Sequence, residues 1–478
     1  MEHRTKKNHP PHELVSEYEA RNEQGDQMYL AEKDFCQLIN YYEDEREVTR
    51  ALDVVDHAIS LHSYCADFLI IKARLLLSTS KPLRALRYLD QAEIISPCEL
   101  DIYLLRARVL CELGHFDTAL AILESARKFS VGTDLVEIAL CEAFIFERQK
   151  LFDKMFEALA QALRIDPQNE EALERIWWSV ENSKKYDESI DFHKELLDQD
   201  AYSYLAWFNL AQGYSCNGDY EKAIEAMEYS FLINPDFEMG YLDCADLCIQ
   251  IGRYDQALKI YQELIENFGG DSEELVKLAE CEFYTGRIRD CKRTLIEALK
   301  MDSYNDEAYY YLGKCFNALG KYKNAISALI KAIDLEDRRE EYYAELASAY
   351  QSAGELGKAD FYFRKATEIG PELDTYWYMH IRFLIGQGEY EKALDVLEEA
   401  DYQTSSAGLD CCKAICLFKL KRRSKAINAL RDALLDNFST HEILFELIPE
   451  LKEDKEITSM LRYYQGEKKI VESENVRD

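Results

Sequence analysis

The chain is poor in residues that interrupt helices. Its 478 residues include only 8 prolines and 19 glycines, so long stretches can stay helical, because proline removes a backbone donor and glycine lowers helix stability. No run of about 18 apolar residues occurs that would predict a transmembrane helix. Residues 1–27 carry basic side chains without an apolar run behind them, so no secretory signal is expected.

Positive charge is scarce as well. The sequence has 57 lysines and arginines against 90 acidic residues, which gives a net charge of −33. A surface this negative repels phosphate backbones and anionic lipids, so we expect no nucleic-acid partner and no membrane insertion. The fourteen cysteines fall mostly at apolar helical positions, as Cys244 and Cys416 do. Without an export signal they indicate reduced core residues in a cytoplasmic protein.

Familiar catalytic motifs are missing too. The sequence contains no P-loop, G-x-G-x-x-G, G-x-S-x-G or H-E-x-x-H pattern. Two cysteine pairs share helical faces and could in principle hold a metal ion, Cys244 with Cys248 and Cys412 with Cys416. Packing explains both pairs without a metal. We therefore expect no cofactor, no metal and no enzymatic activity.

The sequence does contain a period of 34 residues. Steps of this length from Gly218 reach further glycines, namely Gly252, Gly286, Gly320, Gly354 and Gly388. The same steps from Ala223 reach small residues, namely Ala257, Cys291, Ala325, Ala359 and Ala393. Pro167, Pro235 and Pro371 lie whole periods apart. A fixed period of this length predicts an array of helical repeats.

The clearest repeat is Tyr204–Phe237, which has the pattern of two amphipathic helices. The apolar residues of its first helix share one stripe, at Trp207, Leu210, Ala211 and Tyr214. Gly218 is placed to end that helix, and Pro235 is placed to end the second. One such hairpin cannot bury its apolar face alone, so it must stack on its neighbours.

This repeat resembles a tetratricopeptide repeat. The family pattern is an aromatic residue, Leu with a small residue, Tyr, Gly followed by an aromatic, Ala, and a closing Pro. The matching residues are Trp207, Leu210, Ala211, Tyr214, Gly218, Tyr220, Ala223 and Pro235. The resemblance covers most of the chain and is closest to long acidic arrays of bacterial type without a catalytic domain. It implies an all-α, right-handed superhelical solenoid whose concave groove binds other proteins.

The period divides the chain into three parts. Residues 1–31 are expected to form a polar tail and a lead-in helix, residues 32–440 about twelve repeats, and residues 441–478 capping helices and a frayed tail. The repeats start near residues 32, 66, 100, 136, 170, 204, 238, 272, 306, 340, 374 and 407. Asp134 and Leu135 are extra residues that shift the phase. Gly269-Gly270 replaces a proline turn and predicts a bend.

The resemblance also implies which residues line the groove, because in this family the first helix of each repeat forms the inner surface. In the Tyr204–Phe237 repeat its exposed stripe corresponds to Phe208 and Gln212. The register transfers the stripe to Arg74, Arg108, Trp178, Tyr310, Lys314, Asn317, Tyr378 and Arg382. Arginines and aromatics are frequent binding hot spots, so we expect a partner whose acidic groups meet the arginines. Ordinary contacts with solvent or between repeats are the alternative.

A protein-binding scaffold or adaptor is therefore the main functional hypothesis. A regulator that senses a ligand or peptide and changes its curvature, with Gly269-Gly270 as hinge, is an alternative, and an enzyme of unfamiliar type is a third. A clamp for chaperone C-terminal tails, another use of this fold, is not expected. Asn209 could be its central asparagine, but Glu174 and Asp243 stand on the flanking helices where basic partners are needed.

Overall fold

The computed structural model describes residues 12–23 and 28–475, and this part of the chain is helical without a β-strand. The prediction of an all-α fold is thus confirmed. The predicted polar tail falls largely on residues 1–11 and 24–27, which lie outside the described residues, as do residues 476–478. A lead-in helix, His12–Glu23, is present and buries Val15 and Tyr18.

The described residues separate at Gly240 and Tyr241 into two compact bodies, which we call the N-terminal and C-terminal bodies. The helices of the N-terminal body are α1 His12–Glu23, α2 Glu32–Asp44, α3 Val48–Leu61, α4 Ala66–Ser78, α5 Pro82–Ile95, α6 Leu100–Glu112, α7 Phe116–Arg127, α8 Thr133–Arg148, α9 Phe152–Ile165, α10 Glu170–Ser183, α11 Tyr186–Gln199, α12 Tyr204–Cys216 and α13 Tyr220–Ile233. From α2 onward they form consecutive antiparallel pairs, as the period predicts.

Helix α14 crosses the division, and the remaining helices belong to the C-terminal body. They are α14 Glu238–Gln250, α15 Tyr254–Phe268, α16 Ser272–Tyr284, α17 Ile288–Met301, α18 Asp306–Ala318, α19 Tyr322–Leu335, α20 Glu340–Ser352, α21 Leu356–Ile369, α22 Asp374–Gln387, α23 Tyr390–Ala400, α24 Ala407–Lys419, α25 Arg423–Asp436, α26 His441–Leu447 and α27 Lys455–Asn475. The last helix continues to Asn475, and the frayed end stays a prediction.

The helix starts follow the 34-residue count closely. The first helix of each repeat begins at the counted residue everywhere except in the fourth repeat, where α8 begins at Thr133 rather than at residue 136. Helix α8 has 16 residues, whereas α6 has 13. The extra Asp134 and Leu135 therefore lengthen a helix at its start instead of enlarging a loop.

Each helix pair turns through one residue with a positive φ. Seven of these residues are glycines, namely Gly114, Gly218, Gly252, Gly286, Gly320, Gly354 and Gly388, and five are not, namely Arg46, Ser80, Lys150, Lys184 and Lys421. Gly218 has φ +80° just after α12 ends at Cys216, which confirms its prediction as a helix stop. A residue with a Cβ pays about 1–2 kcal/mol for this conformation.

The small residues of the repeat lie where the two helices of a pair cross. Ala223 and its five counterparts at steps of 34 are all fully buried, which confirms the predicted register. Met155 and Ser189, the larger and the polar substitutes in the less regular repeats, are buried at the same positions. The position is therefore buried in the less regular repeats as well as in the regular ones.

The Gly269-Gly270 connection is a closely packed turn. Gly269 ends α15 with φ +78°, and a Cβ on Gly270 would lie 2.7 Å from Ile265 Cγ1. Asp271 then begins α16 with a capping box, since its side chain accepts from the backbone N–H of Glu274 while the Glu274 carboxylate accepts from the N–H of Asp271. The proposed bend at this turn stays a prediction.

Candidate functional site

The first helices of the N-terminal body line a cavity of about 470 Å³. Its lining residues come from four helices, with Cys36 on α2, Asp67, Ile70, Ile71 and Arg74 on α4, Asp101, Leu104, Leu105 and Arg108 on α6, and Glu137 on α8. We call this cavity the α4–α6 groove. It brings together Arg74 and Arg108, two of the residues that the sequence placed on an inner surface.

The lining of the α4–α6 groove is built from one motif repeated at 34 residues. Helices α4 and α6 each contribute an acidic residue, two apolar residues and an arginine. The equivalent pairs are Asp67 with Asp101, Ile70 with Leu104, Ile71 with Leu105, and Arg74 with Arg108. Their spacing puts them on one face of each helix. The groove therefore has an acidic row, extended by Glu137, an apolar floor and an arginine row.

The exposure of the side chains matches these three rows. Asp67, Asp101, Arg74 and Arg108 are exposed, whereas the apolar floor between them is half-buried or buried. Asp67 and Asp101 lie in the first turns of α4 and α6, where the helix dipole favours a negative charge. A ligand would thus meet apolar surface flanked by opposite charges. The acidic row was not among the residues predicted from the sequence, although Asp67 and Asp101 lie 34 residues apart there.

The two arginines are not equivalent. Arg74 donates a hydrogen bond to Glu43 Oε2 of α2 at 2.9 Å. Arg108 forms no ion pair with any carboxylate in the described part of the chain, and its guanidinium instead lies against the Cys141 thiol. Burial raises the pKa of that thiol to about 11, and the guanidinium acts in the opposite direction. Arg108 is thus an exposed cation without a carboxylate partner among these residues.

The other predicted residues of the N-terminal body lie outside this cavity. Trp178 on α10 is 49% exposed and packs edge-on against Phe152, and Gln212 on α12 is half-buried. The prediction that Phe208 is exposed is wrong, because it is only 8% exposed. Phe237, which follows the Pro235 turn, covers it edge-to-face with ring centroids 5.0 Å apart.

Asn209 has a structural partner. Its side chain is buried, and its Nδ2 donates a hydrogen bond to the Leu173 carbonyl of α10 at 2.8 Å. This bond joins the first helices of two successive repeats. The side chain is therefore not available as the central asparagine of a carboxylate clamp, a role that the sequence alone allowed for Asn209.

In the C-terminal body the predicted lysine is enclosed by aromatic rings. Lys314 Nζ lies 4.7 to 5.2 Å from the ring centroids of Phe283, Tyr284, Tyr310 and Tyr311. It also donates to Tyr284 Oη at 3.2 Å. Such rings attract a cation through their negative faces. The ammonium group of Lys314 is therefore held by the rings of its own chain.

The remaining predicted residues make contacts between repeats. Asn317 donates from Nδ2 to Glu345 Oε1 of α20 at 3.0 Å, and the Tyr310 ring stacks on Tyr342 at 4.8 Å. Arg382 donates to Tyr378 Oη at 3.2 Å and to Glu446 Oε1 of α26 at 3.1 Å. The bond to Glu446 raises the Arg382 pKa. These geometries correspond to the alternative interpretation, contacts within the array.

The cysteines considered as metal ligands are buried among apolar side chains. Cys244, Cys248, Cys412 and Cys416 are all fully buried, and Cys411 donates its thiol to the Thr440 carbonyl at 3.2 Å. Within residues 14–21 and 28–465, whose side chains the structure describes, no three His, Cys, Asp or Glu side chains form a group that could bind a metal ion. None of the helices in this same range combines the length and apolarity that a membrane crossing requires.

Comparison with known protein families identifies the repeat. Family models described as tetratricopeptide repeat match residues 102–125, 217–280 and 276–339. A model described as anaphase-promoting complex, cyclosome, subunit 3 matches residues 352–433. The TPR repeat-containing protein YpiA of Bacillus subtilis is 23% identical over 242 residues, which cover 48% of this chain and 54% of that protein. The chain therefore matches about half the length of this relative.

Solved structures with similar folds share little sequence with the chain. The APC/C hetero-tetramer Cut9-Hcn1 has a TM-score of 0.38 at 14% identity, with 95% of this chain and 99% of that chain covered. A tetratricopeptide repeat protein from Parabacteroides merdae has a TM-score of 0.38 at 17% identity, with 52% and 99% covered. The family models and the paired helices together identify tetratricopeptide repeats in this chain, at residues 102–125 and 217–339.

Proposed function

We propose that this protein is an interaction scaffold that binds a peptide segment of another protein in the α4–α6 groove. One observation carries the proposal. Exposed Arg108, which has no carboxylate partner among the described residues, lies beside a half-buried apolar floor in a cavity of about 470 Å³. The groove lies on the first helices of the repeats, the surface that the tetratricopeptide resemblance assigns to partner binding.

The three rows indicate the chemistry of the bound segment. Apolar side chains would cover Ile70 and Leu104, a carboxylate would pair with Arg108, and a basic or hydroxyl group would face Asp101. The acidic and arginine rows are seven residues apart on each helix, which corresponds to roughly 10 Å along the helix axis. An extended segment that crosses α4 and α6 along the floor can therefore be contacted from both sides.

Arg108 is the residue on which the test depends. The full-length protein is screened against an array of mixed-sequence peptides, and the bound peptides are titrated by fluorescence anisotropy. We expect Arg108→Glu to weaken binding at least about tenfold, as replacing a charged hot-spot side chain does. Leu104→Asp should weaken the same peptides, because it puts a charge into the apolar floor.

Arg87→Glu is the matched control. Arg87 is exposed on α5, the second helix of its repeat, and does not line the groove. This variant changes the net charge as Arg108→Glu does. Because Arg87 does not line the groove, its affinities should stay within about twofold of the wild-type values. The proposal is overturned if Arg108→Glu, folded with unchanged melting temperature, binds the same peptides as tightly as Arg87→Glu and the wild type do.

A further inference from the structure

A second cavity, of about 680 Å³, lies on the C-terminal body. It is lined by one helix and one turn, with Arg289, Lys292, Arg293, Ile296, Glu297 and Lys300 from α17 and Leu319 and Lys321 from the α18–α19 turn. We call this lining the α17 basic surface. Five of its eight residues are cationic and only Glu297 is acidic, although the whole chain has a net charge of −33.

The geometry of α17 directs these side chains outward. The six lining residues of α17 follow a spacing that keeps them on one helical face. On the other face Cys291, Leu295 and Ala298 are fully buried against the body, so the rotation of α17 about its axis is fixed by packing. Lys321 reaches the same cavity because the chain reverses at Gly320, which has φ +69°.

Most of these charges are not neutralised by the protein itself. Arg293 pairs with Asp290 at 3.0 Å on the exposed side of α17, and Lys292 extends toward the Phe316 ring at 5.9 Å. For Arg289, Lys300 and Lys321 the described residues provide no ion-pair partner within 4 Å. Several cations thus share one cavity, which raises the local potential and attracts an anionic group.

The fold does not require this concentration of charge. One period earlier, on α15, the four cationic positions of α17 are held by Asp255, Leu258, Lys259 and Glu266. One period later, on α19, they are held by Lys323, Ile326, Ser327 and Asp334. The packing of a second helix is therefore compatible with acidic, apolar or neutral residues there. The cations are a property of this one repeat.

We propose that the α17 basic surface is a second docking surface, which binds an acidic segment of a partner protein. Carboxylates of the segment pair with Arg289, Lys300 and Lys321, and an apolar side chain covers Ile296 and Leu319, which are 40% and 39% exposed. This surface is separate from the α4–α6 groove, and the inference does not depend on the function proposed for that groove.

The charge distribution favours a short protein segment over a nucleic acid or a lipid surface. At physiological ionic strength charges act over about 8 Å, so a segment that stays within the cavity meets mainly cations. A longer polyphosphate or an anionic bilayer would extend onto the rest of this acidic chain and be repelled. The exposed apolar side chains of Ile296 and Leu319 also suit a peptide better than a phosphate backbone.

Binding of a defined probe tests the proposal on the full-length protein. The probe is a fluorescein-labelled nonapeptide of glutamate and leucine, and fluorescence anisotropy measures its affinity at low and at high salt. We expect measurable binding that weakens as salt is added. The triple variant Arg289→Gln, Lys292→Gln, Lys300→Gln should weaken it at least tenfold, and Ile296→Ser should weaken this peptide but not one made of glutamate alone.

A matched triple variant controls for net charge. Lys259→Gln, Lys365→Gln and Lys392→Gln remove the same charge from α15, α21 and α23 of the same body, and these lysines do not line the cavity. Their triple variant should bind the probe as the wild type does. If the α17 triple variant melts early, Lys300→Gln with Lys321→Gln provides a milder second test, for which a loss of at least threefold is expected.

Several results would overturn the proposal. Equal binding by the two triple variants would do so, and so would tighter binding of an oligothymidylate or of phosphatidylserine vesicles than of the peptide. A dimer in sedimentation that the α17 triple variant abolishes would show that a second copy of the chain occupies the surface. Arg87→Glu, at a residue that lines neither this cavity nor the α4–α6 groove, should leave probe binding unchanged.

Discussion

Gly313 of α18 faces Leu329 of α19 so closely that a Cβ on the glycine would lie 2.5 Å from Leu329 Cγ. Leu329 is fully buried, so it has little room to withdraw. Gly313 stands where other repeats have alanine, as at Ala211 and Ala279. The crossing of α18 and α19 is thus closer than that of a pair with alanine at this position.

Gly313→Ala is expected to destabilise the C-terminal body by about 1–3 kcal/mol, the usual cost of overpacking a core. The loss should appear even though alanine is the better helix former by about 1 kcal/mol. Urea unfolding followed by circular dichroism measures it. Gly357→Ala in α21 is the control, because nothing lies within 4 Å of its added Cβ. We expect that variant to be more stable by about 0.5–1 kcal/mol, and a stabilised Gly313→Ala protein would contradict the close crossing.

His193 predicts a dependence of stability on pH. It is fully buried in α11, its Nδ1 donates to the Ser189 carbonyl at 2.8 Å, and its Nε2 has no hydrogen-bond partner among the described residues. Burial lowers its pKa to about 4. Between that pH and the ordinary histidine pKa of about 6.5, only the unfolded chain takes up the proton. The free energy of unfolding therefore falls on acidification, by up to about 1.4 kcal/mol per pH unit.

His193→Met isolates this contribution from that of the many carboxylates. Met227 occupies the equivalent position one period later, so methionine suits the repeat. Urea unfolding of both proteins is measured at pH 7.5 and at pH 4.5. We expect the difference between wild type and variant to change by about 2 kcal/mol over this range, with the wild type losing more. Parallel pH profiles of the two proteins would contradict the burial of a neutral histidine.

Glu282 and Thr294 give a prediction of opposite sign. The Glu282 carboxyl is buried in α16 and accepts a hydrogen bond from Thr294 Oγ1 of α17 at 2.8 Å. Burial raises its pKa, so the folded protein holds this proton more tightly than the unfolded chain does. The stability that depends on this group is thus full below the unfolded pKa and falls as the pH rises through the folded pKa.

Thr294→Val removes the donor and should cost about 1–3 kcal/mol, because a buried polar group loses its partner. The cost should be larger at pH 8 than at pH 5, since the charged carboxylate depends most on that bond. Unfolding curves at the two pH values provide the measurement. In a protein that also carries Glu282→Gln, the cost of Thr294→Val should be the same at pH 5 and at pH 8, because an amide does not ionise. An equal cost at both pH values would show that Glu282 is not a buried acid.

The 34-residue period was sufficient to predict the fold and the arginine row of the groove. A strict spacing of 34 places equivalent residues on successive first helices, so the shared position of Arg74 and Arg108 follows from counting. The exposure of a side chain, by contrast, cannot be predicted from the 34-residue spacing. Phe208 is covered by Phe237 from beyond the Pro235 turn, and Arg382 reaches Glu446 at a separation of 64 residues. Such contacts depend on side-chain conformations that a register does not specify.

The α17 basic surface was missed for a different reason. The net charge of −33 is a sum over the whole chain and does not reveal a local excess of cations. The signal lies in α17 itself, where Arg289, Lys292, Arg293 and Lys300 share one helical face. Lys321 comes from the α18–α19 turn, and only the fold brings it to the same cavity as these four residues.

The five turns without glycine have a consequence for how the molecule opens. Four of them, at Arg46, Ser80, Lys150 and Lys184, precede residue 240, and only Lys421 follows it. Local unfolding begins where conformational strain has reduced the opening free energy, so amide hydrogens near these early turns should exchange fastest. Three of the helices that line the α4–α6 groove, α2, α4 and α8, are followed by such turns, whereas α6 is followed by Gly114. A peptide segment bound across α4 and α6 would slow the exchange of amide hydrogens near these turns. This protection would be a direct measure of binding.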